Sequence, residues 1–154
     1  MPLYLVRHAK AGSRRNWEGP DRDRPLSGKG RRQAEGLVHL LADRPVRRVL
    51  SSPYVRCVQT VEPLAEKLGL PVEEAPALAE DAAPADAVEL LRSGASSSSV
   101  LCTHGDLIPP VLDTLAASEG LPLPPDYPFA KGSVWELDVL SGRWLAARYL
   151  PPSE

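Results

Sequence analysis

Four residues stand where short apolar runs of the chain give way to polar ones. Arg7-His8 follows Leu3–Val6, and Thr103-His104-Gly105 closes the run that begins at Val100. Arg56 lies three residues beyond Ser51-Ser52-Pro53, which ends the run Val46–Leu50. The chain has 3 histidines, and two of them occupy these positions. Two guanidiniums can grip tetrahedral oxyanions bidentately and neutralise the charge that spreads over them during transfer. One imidazole nitrogen can attack phosphorus and carry it covalently, which splits one hard step into two easier ones. A second imidazole, donating a hydrogen bond, can steady the transferred group without a metal. Each histidine alone could be a structural His–carboxylate pair, and each arginine a surface ion pair; the four together point to chemistry.

Rival chemistries fail on spacing. A cysteine-phosphatase loop needs arginine six residues after the cysteine, but Cys57 is followed there by Pro63 and Cys102 by Ile108. No histidines or cysteines carry zinc-site spacing, and no Gly-x-x-x-x-Gly-Lys-Ser/Thr loop occurs. Gly28-Lys29-Gly30 runs on into Arg31-Arg32-Gln33, which is not a dinucleotide fingerprint. Cys57 and Cys102 read as small packed hydrophobes beside the proposed site.

For four such residues to meet, the chain must fold them to one edge. Its 154 residues suit one domain, 1–154, with 43% hydrophobic and 25% charged residues, the balance of a globular protein. No apolar run approaches membrane-spanning length, and the early Arg7 argues against a signal peptide. Two cysteines make no disulfide framework, which points to a cytoplasmic location. The net charge of −2 conceals an asymmetry: residues 1–60 hold 13 Lys and Arg against 5 Asp and Glu, and the remainder holds 5 against 15. A basic half fits an anionic ligand; a nearly neutral total argues against nucleic acid as partner.

Hydrophobic periodicity supplies the edge. Strands are expected at Leu3–Val6, Val46–Leu50, Pro71–Glu74 and Val100–Thr103, with a hairpin of Ser133–Val139 and Arg143–Leu150. Helices are expected after Ser27 as N-cap, from Pro53 to Gly69, over Asp86–Arg92 and over Leu107–Ala117. Pro63 predicts a kink or break in the second helix. Gly94–Ser99 reads as a flexible turn, and Glu119–Ala130 as a proline-rich connection. Strands alternating with helices predict an α/β fold: a three-layer α/β/α sandwich with a mostly parallel central sheet and a C-terminal β-hairpin. Ligands of such sheets bind at the carboxyl ends of the strands, where His8, Arg7, Arg56 and His104 fall.

The pattern resembles the histidine phosphatase superfamily. Leu5-Val6-Arg7-His8-Ala9 is similar to its Arg-His-Gly signature, with Ala9 in place of glycine. Leu26-Ser27-x-x-Gly30-x-x-Gln33-Ala34, Ser51-Ser52-Pro53-x-x-Arg56-x-x-Gln59-Thr60 and Thr103-His104-Gly105 resemble the next three blocks, in order. Lys131-Gly132-Ser133-Val134 resembles the segment leading into the last strands. The resemblance implies a phosphoglycerate mutase-like fold, no cofactor and no metal, and His8 as the phosphorylated nucleophile. Arg7, Arg56 and His104 carry over as the rest of the phosphate pocket, and Ser13 and Asn16 as further phosphate contacts. The short length is most similar to phosphohistidine phosphatases, and residues 11–13 and 24–26 resemble phosphatase modules fused to Nudix domains. A mutase would carry longer insertions.

The resemblance also implies a general acid after the third strand, where Glu80 is the first choice and Asp81 the second. The expected activity is hydrolysis of a phosphomonoester or phosphohistidine on a phosphorylated protein or small phosphorylated metabolite. The alternatives are a nucleotide- or metabolite-directed phosphatase, and a non-catalytic phospho-ligand binding module. The Arg14–Asp23 loop, with Trp17, is either a lid over the substrate or a mobile charged loop. Lys131 either approaches the pocket or is a surface lysine.

Overall fold

A computed structural model describes residues 1–94 and 98–153. The chain order is β1 (Pro2–Arg7), α1 (Gly28–Leu41), β2 (Arg48–Ser51), α2 (Val55–Leu68), β3 (Val72–Glu74), α3 (Pro84–Ser93), β4 (Ser99–Thr103), α4 (Ile108–Glu119), β5 (Val134–Leu140) and β6 (Arg143–Leu150). Single 3-10 turns cover Asp21–Asp23 and Pro76–Leu78. The six strands form one sheet in the order β3-β2-β4-β1-β5-β6. The first four in that order pair in parallel, and β5 runs antiparallel to both β1 and β6.

Side-chain alternation along β1 divides the core in two. Leu3 and Leu5 face Val88, Leu91, Ile108 and Leu112 of α3 and α4. Tyr4 and Val6 face Leu37, Leu41, Val61 and Leu64 of α1 and α2. A strand covered on both faces must be apolar throughout, which explains the unbroken run Leu3–Val6. The α/β/α sandwich, its mostly parallel sheet and its C-terminal hairpin are therefore present as expected. The hairpin closes over Ser141 and Gly142, both at positive φ (51° and 76°), as a two-residue turn matched to strand twist requires.

Local signals explain most boundaries. The Ser27 side chain accepts from the Gly30 N–H and caps α1. Gly69 ends α2 in the left-handed region, at φ 69°. Two expectations fail. Pro53 precedes α2 without entering it, because Tyr54 is the N-cap. Pro63 lies within an unbroken α2. It is half-buried, in a groove shared with Ala34 and Glu35 of α1. Three residues of the expected Gly94–Ser99 turn, 95–97, lie outside the described residues. Among the described residues, no helix is long and apolar enough to cross a membrane.

Candidate active site

The carboxyl ends of β1, β2 and β4 lie side by side, because β4 pairs with β1 on one side and β2 on the other. Arg7 pairs in register with Thr103, and Ser51 with Cys102. This juxtaposition sets the segments after those strands at one rim.

The backbone around His8 is held by residues spread over the sequence. The His8 N–H donates to the Thr103 carbonyl at 3.0 Å, and Gly132 N–H donates to the carbonyls of Arg7 and His8 at 3.0 and 3.1 Å. Ala9 N–H donates to Thr60 Oγ1, Lys10 N–H to Gln33 Oε1 and Leu26 N–H to Gln59 Oε1, each at 2.9 Å. These polar residues of the helical blocks are thus backbone anchors. Gly30 has a steric reason of its own: a Cβ there would lie 1.9 Å from the Lys10 carbonyl oxygen. At Gly105 a Cβ would lie 2.6 Å from Arg7 Nη2, so glycine admits the guanidinium.

His8 is 7% exposed and its Nδ1 lies 2.7 Å from the Ala9 carbonyl oxygen. A carbonyl can only accept, so Nδ1 carries the hydrogen and Nε2 keeps a bare lone pair. Burial first, then repulsion from His104, Arg56 and Arg7, brings His8 down to about 3 despite the opposing bond to Ala9. The ring is neutral at physiological pH, as a nucleophile must be. His104 lies edge-on, with ring centroids 5.4 Å apart.

Arg7 donates to the Phe129 carbonyl at 2.8 Å and stacks over its ring, which aims the guanidinium. Arg56, 1% exposed, donates to the Asp21 carbonyl at 3.1 Å, the Asp21 carboxylate at 3.1 Å and Glu80 Oε1 at 2.9 Å. The Tyr54 ring lies under its guanidinium at 4.9 Å. His104 is 1% exposed; its Nε2 meets Ser52 Oγ at 2.9 Å and Cys57 Sγ at 3.5 Å. Its Nδ1 has no hydrogen-bond partner and lies 3.6 Å from Glu80 Oε1. Burial opposes ionisation of Cys57, while hydrogen bonding with Cys102 and His104 pulls the thiol below its ordinary value; burial pushes Cys102 up. Both cysteines are buried and unpaired by disulfide.

His8 lines a pocket of about 220 Å³ in which Arg7, Arg14, Arg24, Arg56 and Lys131 stand against Glu80 and Asp106. The cationic excess suits a phosphoryl anion. Burial, then repulsion from Arg7 and Arg24, lowers Lys131, which reports the same crowding of positive charge. Among the described residues, no group of three or more His, Cys, Asp or Glu side chains is set to hold a metal.

The structure therefore brings His8, Arg7, Arg56, His104 and Glu80 together. Asp81 is exposed, with its N–H donating to Asp106. Lys131 reaches the pocket wall. Ser13 and Asn16 do not: both are exposed and outside the lining. The loop closes at its base, where Gly12 N–H donates to the Pro25 carbonyl, and these two residues lie beyond that closure on its exposed side. Trp17 likewise uses its indole N–H on the Pro20 carbonyl within the loop. In their place the loop sends in Arg24, 6% exposed and fixed by Asp21 (3.0 Å) and the Gly12 carbonyl (2.6 Å). Asp21 and Arg24 escaped the sequence reading, although their i, i+3 opposite charges were the available signal.

Fold, pocket and motif spacing agree with direct comparison. The model of the histidine phosphatase superfamily (branch 1) matches residues 3–86, and the chain belongs to that superfamily. An 8-oxo-(d)GTP phosphatase from Mycolicibacterium smegmatis is 36% identical over 157 residues, covering 99% of this chain and 48% of that protein. The chain thus spans about half the length of this curated relative. Among solved structures, the protein histidine phosphatase SixA complexed with tungstate superposes with a TM-score of 0.74 at 22% identity, over 99% of this chain and 96% of that one. A mycobacterial glucosyl-3-phosphoglycerate phosphatase complexed with VO3 gives 0.73 at 18% identity, over 96% of each chain. At those identities the two structures establish the phosphoglycerate mutase-like fold.

Proposed function

We propose that residues 1–154 form a single histidine phosphatase domain that hydrolyses a phosphomonoester or phosphohistidine through phospho-His8, without a metal. The observation that carries this reading is the His8 ring. Its Nδ1 is committed to the Ala9 carbonyl, Nε2 is left bare and neutral, and the ring shares its pocket with Arg7 and Arg56 and lies edge-on to His104. In the first step Nε2 forms a bond to phosphorus as the bond to the leaving oxygen or nitrogen breaks. The protonated Glu80 carboxyl gives that atom its proton. In the second step Glu80 takes a proton from water, the hydroxyl joins phosphorus, and the N–P electron pair returns to Nε2 with release of orthophosphate. Arg7, Arg56 and His104 Nδ1 hold the transferred oxygens throughout.

The substrate is read as a phosphorylated protein or small phosphorylated metabolite, encountered in the cytoplasm. The 36% identity to an 8-oxo-(d)GTP phosphatase, which runs nearly the whole length of this chain, favours a nucleotide as the second reading. A bare nucleophile in a pocket with two guanidiniums argues against a binding module, since recognition alone needs no nucleophile. The test is a p-nitrophenyl phosphate burst quenched in alkaline denaturant, in which phosphohistidine survives. Mass spectrometry should find the phosphate on His8. Phosphate on Cys57, no adduct during a measurable burst, or tight phosphate binding without turnover would each overturn the reading. Side-by-side turnover of phosphohistidine protein, nucleotides and sugar phosphates then identifies the substrate class.

A further inference from the structure

His104 Nε2 does not face the pocket. It faces a buried floor made by Ser52, 0% exposed, and Cys57, 0% exposed. Ser52 is the first residue after β2, and its Oγ accepts from the Tyr54 N–H at 3.2 Å, meets His104 Nε2 at 2.9 Å and also lies in hydrogen-bonding reach of the Cys57 thiol. With the Tyr54 bond made, the hydroxyl retains one proton and a spare lone pair. Cys57 Sγ, 3.5 Å from the same nitrogen, is the longer and weaker partner. On the other side of the ring, Nδ1 has no partner and points toward Glu80.

We propose that Ser52 donates its hydroxyl proton to His104 Nε2, fixing the neutral Nδ1–H tautomer, so that the ring presents a donor to the phosphoryl group without carrying charge. Ser52 is a positioning residue in this scheme, which rests on the phosphatase reading for its use but not for its geometry. The competing arrangement is a Cys57 thiolate against a His104 imidazolium. That pair would be a charge separation sealed in the interior, whereas the Ser52 chain satisfies each buried group while neutral. Neutrality also leaves the phosphate's charge to Arg7 and Arg56, and it spares His8 a cation facing its own ring at 5.4 Å.

Histidine-selective ¹⁵N labelling tests the tautomer directly, since the chain has 3 histidines and His104→Gln assigns the signal. At neutral pH the expected spectrum places the hydrogen on Nδ1 of His104, with Nε2 unprotonated. A hydrogen on Nε2 alone, or on both nitrogens, overturns the proposal whatever the variants do. Ser52→Ala should mix the tautomers and lower kcat with an aryl phosphate on the order of 10–100-fold, with KM little changed. Ser52→Thr, which keeps the hydroxyl, should restore the Nδ1–H signal. Cys57→Ala should leave the tautomer where it was. The opposite pattern, with Cys57→Ala moving the tautomer and Ser52→Ala leaving it, assigns the role to the thiol and sinks the proposal. The two readings fail separately. The predicted tautomer in a protein that turns over no phosphate condemns the phosphatase reading alone, and phospho-His8 with a protonated Nε2 condemns the Ser52 proposal alone.

Discussion

The pocket has two unlike walls. Its floor consists of the residues after β1 and β4 and the first turn of α2: His8, Arg56 and His104 are 7%, 1% and 1% exposed, and the backbone near His8 is tied down by Thr60, Gln33 and Gln59. Its rim is the segment between β1 and α1, where Arg14, Arg15 and Asn16 are exposed and order comes from a few side chains, chiefly Asp21. The floor is fixed by burial and by backbone bonds to the sheet edge. The rim is held by ion pairs that water and salt can contest. The floor therefore carries the chemistry and the rim modulates access, and substitutions in the two should differ in kind.

The largest effect belongs to the floor. His8→Ala should lower turnover on the order of 10⁴-fold or more, measured as product formation from an aryl phosphate. The same variant changes stability in a defined direction. His8 stands at about 3 in the folded protein against an ordinary 6.5. Between those values the unfolded chain takes up a proton that the folded chain refuses. Native His8 therefore costs stability as pH falls from 6.5 toward 3, and His8→Ala should flatten that part of the urea-midpoint profile. A variant that melts along the same acid slope as the parent would show that His8 is not buried neutral.

Arg56→Ala should follow, at about 10²–10³-fold in kcat, the range for losing a preorganised transition-state contact. Arg14, 70% exposed at its side chain and paired with Asp21 at 3.5 Å, should give far less with a small substrate. Equal effects would erase the distinction between floor and rim.

Glu80→Gln is smaller again and depends on the substrate. An alkyl phosphate leaves as a basic alkoxide and needs a proton, so its rate should fall roughly 10²-fold, while burst phosphorylation by an aryl phosphate should barely change. Asp81→Asn should leave the alkyl-to-aryl ratio unaltered, since Asp81 is exposed and outside the pocket lining. If neither substitution moves that ratio, no dedicated acid operates and labile phosphohistidine becomes the favoured substrate.

The two walls also differ in how far they could be read from sequence. Leu3–Val6 and Val100–Thr103 are doubly buried strands, so their apolar runs end sharply and their last polar residues announce the rim of the sheet. Gln33, Gln59 and Thr60 were legible as motif residues, but their work as backbone anchors needed three dimensions. Ser13 and Asn16 misled because loop geometry follows from the Asp21–Arg24 pair and the Gly12–Pro25 contact, which no periodicity encodes. Ser52 was visible as the end of a run, yet its contact with His104 arises only because β2 and β4 are neighbours.

The smallest effects should come from the rim itself, where Asp21 and Arg14 separate structure from catalysis. Asp21 meets Arg24 at 3.0 Å, Arg56 at 3.1 Å and Arg14 at 3.5 Å. Partial burial would raise its carboxyl, but the bond from Arg24 and the charges of Arg56, Arg24 and Arg14 hold it below its ordinary 3.8. Its stabilisation is therefore present above 3.8 and lost as pH falls through the depressed value. Asp21→Asn should lower kcat/KM only a few-fold, because Arg56 keeps Glu80 and the Asp21 carbonyl as partners. That loss should shrink as salt rises, since salt screens in the parent the pairs that the variant lacks. Arg14→Ala removes one exposed ion pair, worth at most ~1 kcal/mol before solvent screening, and should shift Tm by no more than about 2 °C. Kinetics and melting of the double variant complete the cycle. Additive effects would mean that Arg14 meets substrate or solvent independently of Asp21. A double variant no worse than Asp21→Asn would mean that Arg14 acts only by holding the rim closed.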